Sequence, residues 1–170
     1  MNYKTKLGHI TTFIFDIDGV LTDGKVAIFK DGEWVRSMNI KDGYALQHAV
    51  KQGFKVAVIS GGTNESIGQR LKTLGVADVF LGVRDKLDVY HTFLTDYGLR
   101  SEEIAYMGDD LPDYEVLQTV GLSTCPSDAA VEIREMVDYV SPYKGGNGCS
   151  RDLIEQVLRM QGKWFTVPNE

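Results

Sequence analysis

Asp16 and Asp18 stand two residues apart behind the apolar run at residues 13–15, and Gly19 follows at once. An unbroken apolar run of this kind predicts a strand buried on both faces, as in a parallel sheet. Carboxylates at the carboxyl end of such a strand lie where open α/β sheets place their ligands. Held so close, they repel one another unless a cation lies between them or one keeps a proton. Their oxygens suit Mg²⁺. The same stretch also fits a strand closed by an ordinary Asp-Gly turn, so these residues alone leave both readings open.

Further strand ends carry groups of complementary chemistry. Residues 54–59 predict a core strand that ends at Ser60-Gly61-Gly62. Residues 104–107 predict another, ending at Gly108-Asp109-Asp110-Leu111-Pro112-Asp113, and Lys86 sits where a loop meets a helix. In a parallel sheet such ends converge on one crevice, so groups far apart in sequence can meet. One carboxylate can then act as nucleophile and a second as acid and base. A carboxylate-bound Mg²⁺, a lysine and a hydroxyl with backbone N–H groups can hold a phosphoryl group.

The elements that position these residues alternate. Residues 24–29 and 34–40 flank Lys30-Asp31-Gly32-Glu33 and read as a β-hairpin. It carries apolar residues on both faces, which points to packing against a partner subunit. Asp42 is expected to cap a helix ending near Gly53, and further helices are expected over residues 64–74, 87–97, 127–136 and 150–160. Pro112 suits the first turn of another helix. Short strands are expected at 78–81, 121–124 and 137–140. Strands alternating with helices predict an α/β fold, a doubly wound parallel sheet.

At 170 residues the chain is expected to form a single domain, residues 1–170, with a core of ordinary size. A net charge of −6 argues against nucleic acid as a partner, though not against a small anion at a locally basic site. No apolar run approaches membrane-spanning length and the polar start lacks a signal peptide's apolar core, so the expected place is the cytoplasm, with no membrane partner. Cys125 and Cys149 are too few and too far apart for a zinc site or a disulfide framework.

Asp16-x-Asp18-Gly19-Val20-x-Thr22, Ser60-Gly61, Lys86 and Gly108-Asp109-Asp110-x-x-Asp113 together resemble, in order, the four motifs of the haloacid dehalogenase superfamily of phosphohydrolases. By that resemblance Asp16 attacks phosphorus and forms an aspartyl-phosphate. Asp18 protonates the leaving alcohol and then activates water. Ser60, Gly61 and Lys86 bind the phosphoryl group. Asp16, the backbone carbonyl of Asp18 and Asp109 ligate Mg²⁺, with Asp110 and Asp113 supporting them from behind. The gaps between motifs hold a hairpin, helices and a strand but no stretch long enough for a folded cap domain.

A capless chain with such a hairpin resembles a narrower group, the tetrameric 3-deoxy-D-manno-octulosonate 8-phosphate phosphatases of lipopolysaccharide sugar synthesis. That likeness includes Asp42-Gly43 and the tail Gly145-Gly146-x-Gly148 with Arg151. It implies a homotetramer in which hairpins assemble centrally and a neighbour's tail, with Arg151, covers the substrate. It implies Arg70 as a contact for the sugar carboxylate, a group that arginine can hold with two hydrogen bonds. Three positions depart from the pattern: Ser60 stands where threonine is common, Gly62 where arginine is common, and Cys149 where a small or apolar residue is expected. Competing readings are a phosphatase for a nine-carbon keto-deoxy acid 9-phosphate and a receiver-like phospho-acceptor domain. The latter needs no second carboxylate such as Asp18.

Overall fold

The computed structural model describes residues 2–167. Its strands, in chain order, are β1 (Thr12–Phe15), β2 (Ala27–Ile28), β3 (Trp34–Val35), β4 (Lys55–Ile59), β5 (Asp78–Phe80), β6 (Ile104–Met107), β7 (Leu122–Cys125) and β8 (Tyr139–Val140). The helices are α1 (Ile40–Lys51), α2 (Glu65–Thr73), α3 (Lys86–Tyr97), α4 (Tyr114–Leu117), α5 (Val131–Met136) and α6 (Cys149–Met160). Six strands form one sheet in the order β5-β4-β1-β6-β7-β8, parallel throughout. Strands β2 and β3 form a separate antiparallel hairpin.

The apolar run that predicts β1 is central because both faces of that strand are covered. Phe13 and Phe15 enter a core shared with α1 and α6, and Ile14 enters the opposite core with Tyr90 and Phe93 of α3. Successive side chains of a strand point to opposite faces, so one four-residue strand nails both layers to the sheet. Each such fully buried side chain stabilises the fold by about 1.5–3 kcal/mol. On α6, Leu153, Ile154, Val157 and Leu158 make one buried stripe at helical spacing.

The chain leaves β1 toward β4 on one side and reaches β6 on the other, so the strand order reverses at β1. Phe15 pairs with Val58 and Met107, which sets Asp16 between the ends of β4 and β6. This is the switch point where such sheets bind ligands.

Two expectations need correction. Asn39 caps α1, its Oδ1 accepting the N–H groups of Lys41 (2.8 Å) and Asp42 (3.3 Å). Asp42 lies inside the first turn and is buried. Its carboxylate accepts the N–H groups of Gly148 (3.2 Å) and Arg151 (3.0 Å), tying the start of α1 to the start of α6. Residues 127–130 are not helical, and α5 begins only at Val131. There the Ala130 N–H bonds the Asp109 carbonyl at 2.8 Å, so the segment buttresses the β6 loop instead of coiling. Pro112 stands, as expected, in a first helical turn, the 3₁₀ turn Leu111–Asp113 that leads into a single turn of α4.

Between β1 and β4 the chain has the hairpin and α1, and between β4 and β6 it has α2, β5 and α3; no cap is present among the described residues. Ile28, Phe29 and Trp34 of the hairpin are 68%, 54% and 53% exposed, an apolar surface that no described residue covers. No described helix is long and apolar enough to cross a membrane.

Candidate active site

Asp16, Asp18, Ser60, Gly61, Lys86, Asp109, Asp110 and Asp113 line one crevice of about 440 Å³ at the carboxyl ends of β1, β4 and β6. Behind β1, Asp18 (φ −71°, ψ 116°) and Gly19 (φ 88°, ψ −4°) take the torsions of a type II turn, in which the second central residue favours glycine. The turn brings the chain back beneath Asp109. Gly145 and Gly146 press their backbone on the same loop, with the Gly146 N–H bonding the Val20 carbonyl at 2.8 Å. The glycine tail thus supports the Asp18 loop of its own chain.

Lys86 is the first residue of α3, which Asp85 caps through the Asp88 N–H (3.0 Å). Side chains at a helix start lean back past its N-terminus, so the ammonium reaches the crevice. It lies 3.0 Å from Asp16 Oδ1 and 2.7 Å from Asp113 Oδ1. Asp113 is fully engaged. Its Oδ1 also accepts the Tyr106 hydroxyl (2.6 Å), and its Oδ2 accepts the Asp109 N–H (3.1 Å). Asp110 is exposed and caps the 3₁₀ turn that carries Asp113, accepting the Leu111 N–H at 2.8 Å. Ser60 is buried, and its Oγ accepts the Gly62 N–H at 3.1 Å, which leaves its own proton for a ligand.

Burial and the Asp113 charge push Asp16 up to about 6, against the pull of Lys86. Burial and the charges of Asp16, Asp113 and Asp110 push Asp109 up to about 8. Burial opposes the charge of Lys86, but Asp113 and Asp16 outweigh it and raise its pKa. Burial, then Asp113, places Tyr106 well above its ordinary range, so it stays a donor. The crevice therefore holds more negative charge than one lysine balances. Asp16, Asp109 and Asp113 each bring a carboxylate oxygen within 4.8 Å of the others. Hard oxygens, clustered and short of positive charge, fit a hard divalent cation. With Asp113 occupied by Lys86, Tyr106 and a backbone N–H, Asp16 and Asp109 are the carboxylates with capacity to spare.

Not every expected residue enters this crevice. Arg70 lines a separate cavity of about 240 Å³ beneath the hairpin. Arg151 lies near Tyr44 and Trp164, with its ring contacts at 5.8 and 5.3 Å, and pairs with Glu155. Cys149 is buried, its thiol bonding the Val20 carbonyl at 3.3 Å. Two residues went unread in the sequence. Tyr106 looked like one more apolar residue of β6. Arg36, the residue just after β3, donates to Asp18 through Nε (2.6 Å) and Nη2 (3.2 Å). No spacing rule connects a hairpin arginine to a strand end.

Comparison with known proteins agrees with this geometry. Haloacid dehalogenase-like hydrolases match residues 77–153. The 3-deoxy-D-manno-octulosonate 8-phosphate phosphatase of Salmonella typhi is 35% identical over 159 residues, 94% of this chain and 85% of that protein. The crystal structure of the Yersinia pestis phosphatase of the same name superposes with a TM-score of 0.93 at 33% identity, over 95% of this chain and 88% of that one. The Moraxella catarrhalis phosphatase, solved with magnesium ion, phosphate ion and the sugar acid KDO, gives 0.91 at 30% identity, over 94% of this chain and 92% of that one. The chain belongs to the 3-deoxy-D-manno-octulosonate 8-phosphate phosphatase family of haloacid dehalogenase-like hydrolases.

Proposed function

We propose that this protein is a phosphoric monoester hydrolase that converts 3-deoxy-D-manno-octulosonate 8-phosphate to the free sugar acid and phosphate. The observation that carries the reading is the buried Asp16–Lys86–Asp113 chain of ion pairs opening into a crevice that also holds Ser60 and Asp109. Its family membership supports the same activity.

Asp16 is the nucleophile: its carboxylate oxygen bonds to phosphorus as the ester P–O bond breaks, giving an aspartyl-phosphate and the sugar alcohol. Asp18 gives its proton to the departing oxygen. It then takes a proton from water, whose oxygen attacks the aspartyl-phosphate, freeing phosphate and restoring Asp16. Ser60 Oγ, the loop N–H of Gly61 and the Lys86 ammonium face the phosphoryl oxygens and stabilise the charge that builds there. Tyr106 and Lys86 fix Asp113, which in turn orients Asp109 through its N–H. Asp16, the backbone carbonyl of Asp18 and Asp109 are the residues that would hold Mg²⁺, which supplies positive charge to the phosphoryl group and relieves carboxylate repulsion.

The whole chain acts as one domain, and the reaction on a small anionic sugar phosphate fits a cytoplasmic place. The exposed hairpin fits a homotetramer in which neighbouring subunits, with their tails and Arg151, cover the crevice that a cap would otherwise shield. The experiment is phosphate release with Mg²⁺ from eight-carbon and nine-carbon keto-deoxy acid phosphates and from hexose phosphates. The expected result is a preference for the eight-carbon acid of about tenfold or more in kcat/KM. Faster turnover of the nine-carbon acid would move the assignment to that substrate.

A further inference from the structure

Arg36 is unlike the other charged groups around the crevice because it comes from the hairpin and not from the sheet. Its side chain is 10% exposed, and it pairs with the 38% exposed carboxylate of Asp18 through both Nε and Nη2. The placement is built into the fold. The Trp34 carbonyl accepts the Asn64 amide at 3.2 Å, and the Asn64 carbonyl oxygen caps α2 through the Ile67 N–H at 3.0 Å. The hairpin is thereby pinned to the loop behind β4, two residues before Arg36. Gly62 keeps the space between them open: a Cβ there would lie 3.2 Å from Asp18 Oδ2 and 3.8 Å from Arg36 Nη2.

Beyond Asp18, Arg36 also lines the 240 Å³ cavity that contains Arg70, Asn64 and Ser66. Among the described residues Glu33 is the only carboxylate lining that cavity, and it is exposed. Arg36 therefore stands between the acid that meets the leaving oxygen and a second, cationic space on the leaving-group side. The phosphoryl group already has Ser60 and Lys86. What lacks a partner is an anion on the leaving group.

We propose that Arg36 is a specificity-determining residue that holds the carboxylate of the departing sugar acid, exchanging Asp18 for it when substrate binds. Resting on the phosphatase reading above, the exchange has two effects. It gives carboxylated esters a two-point contact that uncarboxylated esters lack. It also frees the Asp18 carboxylate from its guanidinium partner, so that side chain can turn to the leaving oxygen when the right leaving group is present. Substrate selection and availability of the acid are thus coupled through one guanidinium.

The test compares wild-type, Arg36→Gln and Arg36→Lys enzyme on the eight-carbon acid phosphate and on a hexose 6-phosphate, measuring kcat and KM for each. For Arg36→Gln the ratio of the two kcat/KM values is expected to fall about 10- to 100-fold, mainly through KM for the carboxylated ester. Arg36→Lys, which keeps the charge but not the paired geometry, is expected to fall between. Because Arg36 belongs to neither hydrophobic core and its hairpin stays pinned through Trp34 and Asn64, circular dichroism of the variants is expected to match the wild type. If both substrates lose equally, Arg36 serves Asp18 alone and the proposal is overturned. No loss on either substrate overturns it too. A wild-type enzyme with no preference for the carboxylated ester refutes the substrate reading itself, an outcome visible before any variant is made.

Discussion

Gly19 and Asp109 share a space too small for a side chain: a Cβ on Gly19 would overlap the Asp109 carboxylate, at a backbone φ of +88°. The turn behind Asp16 and the Asp109 carboxylate are therefore one packed unit. Gly19→Ala is expected to cost about 1–3 kcal/mol in stability from the left-handed torsion. It should also lower kcat by about 100-fold, since displacing a reacting group by an ångström has that effect. Thermal unfolding and steady-state kinetics read the two losses separately. An active, fully stable Gly19→Ala enzyme would show that Asp109 can shift without consequence.

Asp16→Asn separates charge from shape. The amide cannot attack phosphorus, so turnover is expected to fall by about 10³-fold or more. Stability should behave in the opposite sense. Burial and the Asp113 charge disfavour ionised Asp16 in the folded chain. Replacing it removes a disfavoured charge while Lys86 keeps Asp113 at 2.7 Å. The metal-free variant is expected to melt no lower than the wild type at pH 8. Near wild-type turnover would exclude the covalent route.

The two raised carboxyls predict how stability depends on pH and metal. An ordinary Asp titrates near 3.8, whereas Asp16 and Asp109 titrate at about 6 and about 8 in the folded chain. Between those limits the folded protein holds protons that the unfolded chain has already released. Their contribution to stability in EDTA therefore falls as the pH rises from roughly 4 to 8. A divalent cation binds the ionised pair and displaces those protons. Mg²⁺ should raise Tm more at pH 8 than at pH 5. A larger Mg²⁺ effect at the lower pH would contradict the assignment of these carboxylates.

The sheet was legible because its signals are local: an apolar run in β1, β4 and β6, each closed by polar residues at the same end. The crevice followed from topology, since parallel strand ends must converge. What sequence could not supply was contact between elements. Asp42 looked like a helix cap because its residue type and position suit one, yet Asn39 lies three residues earlier and takes the role. Asp42 is instead bonded across more than a hundred residues to the N–H groups of Gly148 and Arg151. Tyr106 was hidden by the apolar company it keeps, its hydroxyl bonding visible only once α3 and the 3₁₀ turn are placed. Arg36 was hidden for the opposite reason, as one charge among many on a hairpin.

The hairpin predicts assembly. A two-stranded ribbon with Ile28, Phe29 and Trp34 exposed lacks the hydrophobic support that isolated hairpins need in water. If the protein forms the proposed tetramer, Ile28→Glu is expected to shift it to smaller species in size-exclusion chromatography with light scattering. If neighbours cover the crevice, kcat/KM for the sugar acid phosphate should fall with the tetramer. A wild-type monomer with full activity would remove the role given to the hairpin and tail.

Tyr106→Phe tests whether the buried network positions the reacting groups or only fills the core. The hydroxyl is buried and bonds Asp113 Oδ1 at 2.6 Å, the same oxygen that holds Lys86 at 2.7 Å. Phenylalanine preserves the ring, so packing of the core that contains Ile14, Tyr90 and Phe93 stays as it is. The loss is one hydrogen bond to a charged acceptor, worth about 1.5–3 kcal/mol. Asp113 then depends on Lys86 and the Asp109 N–H, and any turn of its carboxylate moves both partners. In the proposed mechanism Lys86 meets the phosphoryl group and Asp109 the metal, so the defect should appear in kcat and in the Mg²⁺ concentration needed for half activity. A lower Tm with both kinetic quantities unchanged would mean that Tyr106 serves stability alone, and that Asp113 is held well enough without it.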